Sequence, residues 1–260
     1  MSPCPFLLVL LLLLVPGLVA AACPPDGTPV TVDTHAVGCA NLRLTVAADN
    51  VTLVIEGATG SINVTSNAAG TTLRLFDSSV SGNLTLRGSD AFADVRRSTI
   101  TGADVVVLSG VRNATIAVAD STLTGTVVAS VLSSAVGVSL TISNSTLSAT
   151  RYAASVVGAT IRDIAIVVND SRLTLAGADN VGVVALAAAT VFNAAVDVTA
   201  SSVACKAGSA VGVLGAGSNN AVTWTHVTVS AALANVTSIA RDAVGVLGAG
   251  SYSGAVTWTN

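Results

Sequence analysis

Two stretches of the sequence, NATIAVADSTLTG at residues 113–125 and VSLTISNSTLSA at residues 138–149, carry the pattern that decides the fold. In both, apolar residues alternate with small or polar ones up to an Asp-Ser or Asn-Ser step, after which the alternation resumes. Successive side chains of a β-strand point to opposite faces, so Ile116 and Val118 can line a core while Ala117 and Ala119 face away from it. Each stretch therefore predicts strands with one buried face.

The pattern recurs along the chain as a repeat. We interpret six alternating segments as equivalent: Ile116–Val118, Leu140–Ile142, Ile164–Ile166, Val196–Val198, Val222–Trp224 and Val256–Trp258. A first apolar position precedes the segments, at Leu108, Leu132, Val157, Leu186, Leu214 and Leu247. A second apolar position lies at Val80, Ile100, Leu123, Leu147, Leu173, Val203 and Val229. The steps between these second positions are 20, 23, 24, 26, 30 and 26 residues, which predicts coils that lengthen towards the C-terminus.

Repeats of this length, built from β-branched alternation, are typical of a solenoid of stacked coils. One coil cannot bury its inner face alone, but coils ~4.8 Å apart pair their backbones and share one core. We therefore predict an all-β protein, a single-stranded right-handed parallel β-helix of the pectin-lyase-like type. Leucine-rich and ankyrin repeats have similar periods, but the sequence lacks their helical patterns and their Leu/Asn signature.

Three regions divide the chain. Residues 1–22 contain an apolar run, Phe6–Val15, that ends in a small-residue site, and this predicts a cleaved secretory signal peptide. Residues 23–40 are rich in turns and are expected to form an N-terminal cap over the first coil, whose strand edges and core would otherwise be exposed. Residues 41–260 are expected to form the β-helix, truncated within its last coil and able to self-associate through that open coil.

Cysteines and serines add local detail. Of the three cysteines beyond the signal peptide, Cys23 and Cys39 bracket the turn PPDGTP, which predicts a disulfide between them and leaves Cys205 outside it. A serine stands two residues before six of the second apolar positions, often after Asp or Asn. We expect these serines to lie at equivalent corners of successive coils: Ser78, Ser98, Ser121, Ser145, Ser171 and Ser201.

Composition excludes several partners. The net charge is −3 with a single lysine, Lys206, so no basic surface is predicted for nucleic acid. The sequence has no C-x-x-C pair and no clustered histidine, so no metal site is predicted. The phrase GVLGAGS at residues 212–218 and 245–251 has the wrong spacing for a dinucleotide loop, so we interpret it as a repeated turn and predict no cofactor.

Seven N-x-S/T sequons predict N-linked glycans in a secreted eukaryotic protein. Because serine, threonine and asparagine are abundant here, chance occurrence is the alternative explanation. The sequon asparagines are Asn50, Asn63, Asn83, Asn113, Asn144, Asn169 and Asn235.

A carbohydrate-active enzyme, either a polysaccharide lyase or a hydrolase, is the alternative function, because cleavage of uronides needs clustered carboxylates with a nearby cation. The densest charged stretch contains Asp90, Asp94, Arg96, Arg97 and Asp104. We interpret it as an exposed bend with a salt bridge, since His35, His226 and the single glutamate Glu56 lie far from it in sequence. No catalytic residue is predicted.

The two quoted stretches and AVGVLGAGSNNAVTWTHVTVS at residues 210–230, together with the signal peptide and the sequons, resemble kinetoplastid surface proteins of the dispersed gene family type. They are equally similar to membrane-associated proteins of the free-living bodonid relatives. The resemblance covers most of the chain beyond the signal peptide and implies a location at the cell surface. We therefore expect a secreted or cell-surface glycoprotein with a structural or adhesive role and an extracellular ligand, either a glycan or a surface protein. A non-functional fragment of a larger surface protein is the remaining alternative.

Overall fold

The protein folds as a stack of parallel β-strands. The computed structural model describes residues 20–21, 23–110, 112–133, 135–176, 183–188, 190–206, 211–214, 222–232, 234–238, 244–247 and 250–259. The strands are β1 (Ala20–Ala21), β2 (Pro29–Val30), β3 (Thr34–Val37), β4 (Ala40–Val46), β5 (Thr52–Glu56), β6 (Thr59–Ser66), β7 (Thr72–Phe76), β8 (Ser79–Leu86), β9 (Phe92–Arg96), β10 (Thr99–Leu108), β11 (Thr115–Ala119), β12 (Thr122–Leu132), β13 (Ala135–Ser143), β14 (Thr146–Val157), β15 (Thr160–Asn169), β16 (Arg172–Leu175), β17 (Val184–Ala187), β18 (Thr190–Thr199), β19 (Ser202–Cys205), β20 (Val211–Leu214), β21 (Val222–Ala232), β22 (Asn235–Ser238), β23 (Val244–Leu247) and β24 (Gly250–Thr259).

Two parallel sheets run the length of the stack. The first sheet has 11 strands in the order β1-β3-β5-β7-β9-β11-β13-β15-β18-β21-β24. The second has 13 strands and follows the path β2-β4-β6-β8-β10-β12-β14-β16-β19-β22. Up to β16, consecutive strands of the chain alternate between the sheets, and in both sheets each strand pairs with its equivalent one coil away. The predicted all-β parallel solenoid is confirmed.

The second sheet divides where the coils lengthen. The beginning of β14 pairs with β16, and its end, Ala154–Val157, pairs with β17. β17 then pairs with β20, and β20 pairs with β23. A single long strand in the earlier coils is thus replaced by two short strands separated by residues 176–183 in the next coil. The extra residues of the long coils therefore enter between the two halves of the former strand.

The core is a set of columns, each made of one inward position repeated along the stack. The column Val80, Ile100, Leu123, Leu147, Leu173, Val203 and Val236 is at most 9% exposed at every level. Burial of each such side chain contributes ~1.5–3 kcal/mol relative to its exposed state. Since neighbouring coils share the columns, the core is continuous from Val30 to Val236.

The register corrects several equivalences that we drew from the sequence. Val203 pairs with Val236, so Val229 is wrong as the last second position. Val196 pairs with Ile166 and with Val229. The segment that we began at Ile164 therefore begins two residues too early, and the segment that we began at Val222 begins seven residues too early. Alternation repeats every two residues, and therefore a strand can be shifted by two without changing which face its apolar residues occupy.

The first apolar positions also belong to two different columns. Leu108 pairs with Val131, whereas Leu132 pairs with Val157, one residue later. A one-residue shift turns a side chain to the other face of the sheet. Leu108 accordingly lies in the main core, while Leu132 and Val157 pack against a separate cluster of Val107, Val127 and Tyr152. The single row of first positions inferred from the sequence is wrong.

The N-terminal region joins the stack directly. Within residues 23–40, β2 pairs with β4 and β3 pairs with β5, so this region contributes strands to both sheets. Its role as a cap stays a prediction, and the predicted signal peptide lies almost wholly outside the described residues. The described part of the chain contains no helix of the length and apolar character needed to cross a membrane.

Candidate functional site

The six predicted serines lie at one corner of successive coils, which we call the serine corner. All six are buried. The backbone N–H of Ser98 donates to Oγ of Ser121 at 3.1 Å, and the N–H of Ser121 donates to Oγ of Ser145 at 3.1 Å. The same bond links Ser78 to Ser98, Ser145 to Ser171 and Ser171 to Ser201. The prediction of equivalent corners is confirmed.

Each hydroxyl of the serine corner is used twice. Oγ of Ser121 accepts the bond from Ser98 and donates to the carbonyl of Ala119 at 2.7 Å. The residue before each serine has a left-handed backbone, with φ between 44° and 51°. These residues are Asp77, Arg97, Asp120, Asn144, Asp170 and Ala200. The buried hydroxyls therefore satisfy the backbone groups next to a turn that L-residues adopt only at some cost.

A second corner, where the chain returns to the first sheet, also has a left-handed backbone. Its residues are Asn50, Gly70, Asp90, Asn113, Gly137, Asp163 and Asn193, with φ between 51° and 68°. Nδ2 of Asn113 donates to Oδ1 of Asp90 at 3.1 Å, and Nδ2 of Asn193 donates to Oδ1 of Asp163 at 2.6 Å. The second corner is therefore built from glycine and from the two residue types that tolerate this conformation best.

Two open grooves lie over these corners. One, of about 340 Å³, crosses the serine corner and is lined by residues of three coils, including Asn144, Asp170 and Arg172. The other, of about 410 Å³, crosses the second corner beside Asp163 and Asn193. Both are lined mainly by small and polar residues, so any ligand would contact several coils at once.

The charged stretch that could have formed an active site is separated by the fold. Asp94 lies on β9, is only 3% exposed, and accepts a bond from Nε of Arg96 at 2.8 Å. Arg97 lies at the serine corner and donates twice to the Asp77 carboxylate, at 2.6 and 2.7 Å. The expected salt bridge is present, but the expectation of an exposed bend is wrong for Asp94, whose strand neighbours cover it.

The remaining charges of that stretch point elsewhere. Asp90 lies at the second corner, and Asp104 is an exposed residue of β10 in the other sheet. Hydrogen bonding from Arg97 lowers the pKa of Asp77, and hydrogen bonding to Asp94 raises the pKa of Arg96. Asp77 is the partner of Arg97 and was not predicted. The 20-residue repeat could have found it, because the two residues occupy the same position in adjacent coils.

The sequon asparagines differ in exposure. Asn63, Asn83 and Asn169 are half-buried, and Oδ1 of Asn83 accepts the backbone N–H of Asp104 at 2.9 Å. Asn144 is exposed, and its Nδ2 donates to Oδ1 of Asp120 at 2.7 Å. An N-linked glycan leaves one hydrogen on this nitrogen, so the bond can persist in a glycosylated side chain. The exposed sequon asparagines are Asn50, Asn113, Asn144 and Asn235.

Cys23 and Cys39, the pair expected from the sequence, are joined by a disulfide with an S–S distance of 2.06 Å. The carbonyl of Cys39 accepts the N–H of Thr59 on the next coil. The carbonyl of Ser78 accepts the N–H of Thr99 in the same way, so Cys39 occupies the equivalent position on an earlier coil than the six serines. Cys205 is buried on β19 and takes no part in this disulfide.

The other residues considered from the sequence form no site. Nε2 of His35 lies 3.2 Å from a carboxylate oxygen of Glu56 on the neighbouring coil, and His226 lies on β21. Among the described residues, no group of three or more His, Cys, Asp or Glu side chains could hold a metal ion. The GVLGAGS phrases begin on β20 and β23, which pair with each other, whereas residues 215–218 and 248–249 lie outside the described residues, so the repeated turn stays a prediction.

Comparisons with other proteins add nothing to these observations. The chain matches no family model, and searches of curated proteins and of solved structures likewise find no match. The resemblance to kinetoplastid surface proteins therefore stays a prediction.

Proposed function

We propose that the protein is a secreted or cell-surface glycoprotein whose β-solenoid acts as a structural or adhesive spacer and has no catalytic activity. The observation that carries the proposal is the exposure of Asn50, Asn113, Asn144 and Asn235 on the outside of the stack. A glycan on an exposed amide projects into solvent and leaves the core undisturbed. The disulfide at the N-terminal end agrees with an oxidising compartment outside the cytosol.

The spacer role is supported by the way the coils are joined. Each coil adds ~4.8 Å of length and is fixed to the next by two sheets. The buried serine hydroxyls join consecutive coils as well. An adhesive ligand, either a glycan or a surface protein, would meet repeated small polar groups along the grooves at the two corners.

The absence of catalysis is supported by the use that the fold makes of its carboxylates. A glycosidic bond is cleaved by two carboxyl groups at a defined separation, or by a metal with a strong base. Here Asp77 and Asp94 each accept bonds from an arginine, and Asp90 accepts one from Asn113. These partners support a structural role for Asp77, Asp90 and Asp94.

The glycoprotein proposal is tested by secretion of the full chain from eukaryotic cells, followed by enzymatic removal of N-linked glycans. We expect the protein in the medium to lose mass on this treatment. Thr115→Ala, which destroys the sequon at Asn113 but keeps the asparagine, should remove one glycan. Ser139→Ala is the matched control, because Ser139 lies beside Thr115 on the next coil outside any sequon.

Two results would contradict the proposal. Retention of the chain in the cytosol with no loss of mass would contradict secretion and glycosylation. Release of unsaturated product or reducing ends from polygalacturonate, with or without calcium, would contradict the non-catalytic role if Asp94→Ala abolished it.

A further inference from the structure

Two rows of hydroxyl side chains run along the outer face of the second sheet. The first row is Ser79, Thr99, Thr122 and Thr146, and the second is Ser81, Thr101, Thr124 and Ser148. Within each row, every residue pairs in register with its equivalent on the next coil. We call these eight residues the hydroxyl lattice. The corresponding position of the next coil holds Arg172, where the first row ends.

The lattice has regular spacings that follow from strand geometry. Neighbours along a row are one inter-strand distance apart, ~4.8 Å. The two rows are separated by two residues of strand, ~6.6–6.8 Å. The register contains no irregularity between Ser79 and Ser81 or at the paired positions of the next three coils. The outer face therefore presents a two-dimensional grid.

The grid is held rigidly from both sides. Between the rows, Val80, Ile100, Leu123 and Leu147 point inward and are buried. Directly before the first row stand Ser98, Ser121 and Ser145 of the serine corner. After the second row come Gly82, Gly102 and Gly125, where a Cβ atom would collide with the backbone of the preceding coil. The backbone beneath the lattice is thus fixed before any ligand arrives.

The hydroxyl groups of the lattice face solvent. Thr99, Thr101, Thr122, Thr124 and Thr146 are exposed. Within the described residues, these five hydroxyls form no hydrogen bond to protein. Threonine is β-branched and stiff at χ1, so each holds its methyl and hydroxyl groups in a fixed direction. Of the charges beside the lattice, Arg97 pairs with Asp77, Asp120 accepts a hydrogen bond from Asn144, and Asp104 lies beyond Gly102.

These properties define the ligand. It must be uncharged, because the lattice carries no charge, and it must repeat in two dimensions, because the lattice does. The lattice contains no aromatic side chain, the residue type that dominates the energetics of most interfaces. A hydrogen bond between one exposed hydroxyl and a ligand contributes little free energy, because it replaces a bond to water. Only an extended and rigid set of such contacts, made simultaneously with an ordered ligand, sums to useful affinity.

We propose that the hydroxyl lattice binds the surface of ice. Ice and liquid water present the same molecule, so a protein can distinguish them only through the order of that molecule. The two spacings of the lattice, ~4.8 Å along a row and ~6.6–6.8 Å between rows, are close to the distances at which water oxygens repeat on the prism faces of ice. Water held between the methyl and hydroxyl groups of Thr99, Thr101, Thr122 and Thr124 can therefore join a growing crystal face without rearrangement. Because Thr146 belongs to the sequon at Asn144, this inference applies to the chain without a glycan on Asn144.

The test is the growth of ice crystals in the presence of the full chain. We expect the protein to slow ice recrystallisation and to be concentrated in a slowly growing ice phase. The double variant Thr101→Tyr/Thr122→Tyr places two bulky rings in the centre of the lattice. It should need about tenfold more protein for the same inhibition. Thr141→Tyr is the matched control, since Thr141 is an outward residue of the first sheet, and its inhibition should equal that of the wild type.

Circular dichroism and thermal unfolding of all three proteins verify that the substitutions leave the solenoid folded. The proposal is overturned if the wild type inhibits no better than an inert globular protein at equal concentration. It is also overturned if the double variant and Thr141→Tyr behave alike. Retention on crystalline cellulose or chitin, with exclusion from ice, would assign the lattice to a solid polysaccharide instead.

Discussion

The two corners of the coil meet the same backbone problem with different side chains. Both place a residue at positive φ in successive coils. The second corner uses only Asn, Asp and Gly, the residues that adopt this conformation most readily. The serine corner also accepts Arg97 and Ala200, for which the left-handed conformation costs about 1–2 kcal/mol.

The difference lies in the residue that follows. At the serine corner a buried hydroxyl accepts a backbone N–H from the previous coil and donates to a carbonyl two residues before it. Each such bond contributes about 0.5–1.5 kcal/mol. A repeated hydrogen bond between coils can therefore offset an unfavourable conformation, and the position before it becomes open to other residue types. The second corner depends instead on the intrinsic preference of its own residue.

Removal of one serine hydroxyl should lower the free energy of unfolding more than the other substitutions considered for the two corners. Ser121→Ala leaves the buried N–H of Ser98 without its acceptor, while the carbonyl of Ala119 loses one of its two donors and keeps the N–H of Arg97. We expect the free energy of unfolding to fall by about 1–3 kcal/mol. Urea denaturation should show a lower midpoint with an unchanged slope. Ser139→Ala, on the outer face of β13, is the control, and an equal loss in both variants would show that the serine corner contributes no stability of its own.

A methyl group added at each corner should have an intermediate effect. Gly57 lies one coil before Asp77 at the serine corner and is followed by Ala58, whose N–H donates to Oγ of Ser78. Gly57→Ala meets nothing closer than 3.9 Å and should cost about 1 kcal/mol, through backbone conformation alone. Gly137→Ala at the second corner places its Cβ 2.7 Å from Oδ1 of Asn113 and should cost about 2 kcal/mol. Both values can be read from urea unfolding curves. A smaller loss for Gly137→Ala than for Gly57→Ala would reverse the distinction between the corners.

Loss of the ion pair between Arg97 and Asp77 should change the free energy of unfolding least. Because Arg97 lowers the pKa of Asp77, the pair stabilises the fold above the ordinary carboxyl pKa of ~3.9. That contribution is lost as the pH falls through the lowered pKa of the folded state. The small difference in unfolding free energy between wild type and Arg97→Gln should therefore vanish in strong acid. Arg87→Gln serves as the control, since Arg87 forms no ion pair among the described residues, and a difference that grew on acidification would exclude this role for Asp77.

Much of the fold could be predicted because alternation and turn chemistry are local. The Ile116 and Leu140 strands, the six serines and the column from Val80 to Val203 all follow from spacing along the chain. The register after Val203 could not be predicted in the same way. Val222-Thr223-Trp224 and Val227-Thr228-Val229 both alternate apolar and polar residues, and only pairing with β18 selects between them.

The sequence alone determined the parallel solenoid, the lengthening of its coils, the candidate glycan sites and the pairing of Cys23 with Cys39, since each depends on residue type and short-range spacing. The tertiary structure decided which residues meet across coils. It placed Arg97 on Asp77 and buried Asp94. It also aligned two rows of hydroxyls on one outer face. Neighbours in a solenoid are separated by a whole coil of variable length, so their contact depends on the hydrogen-bond register that only the stacked backbone defines.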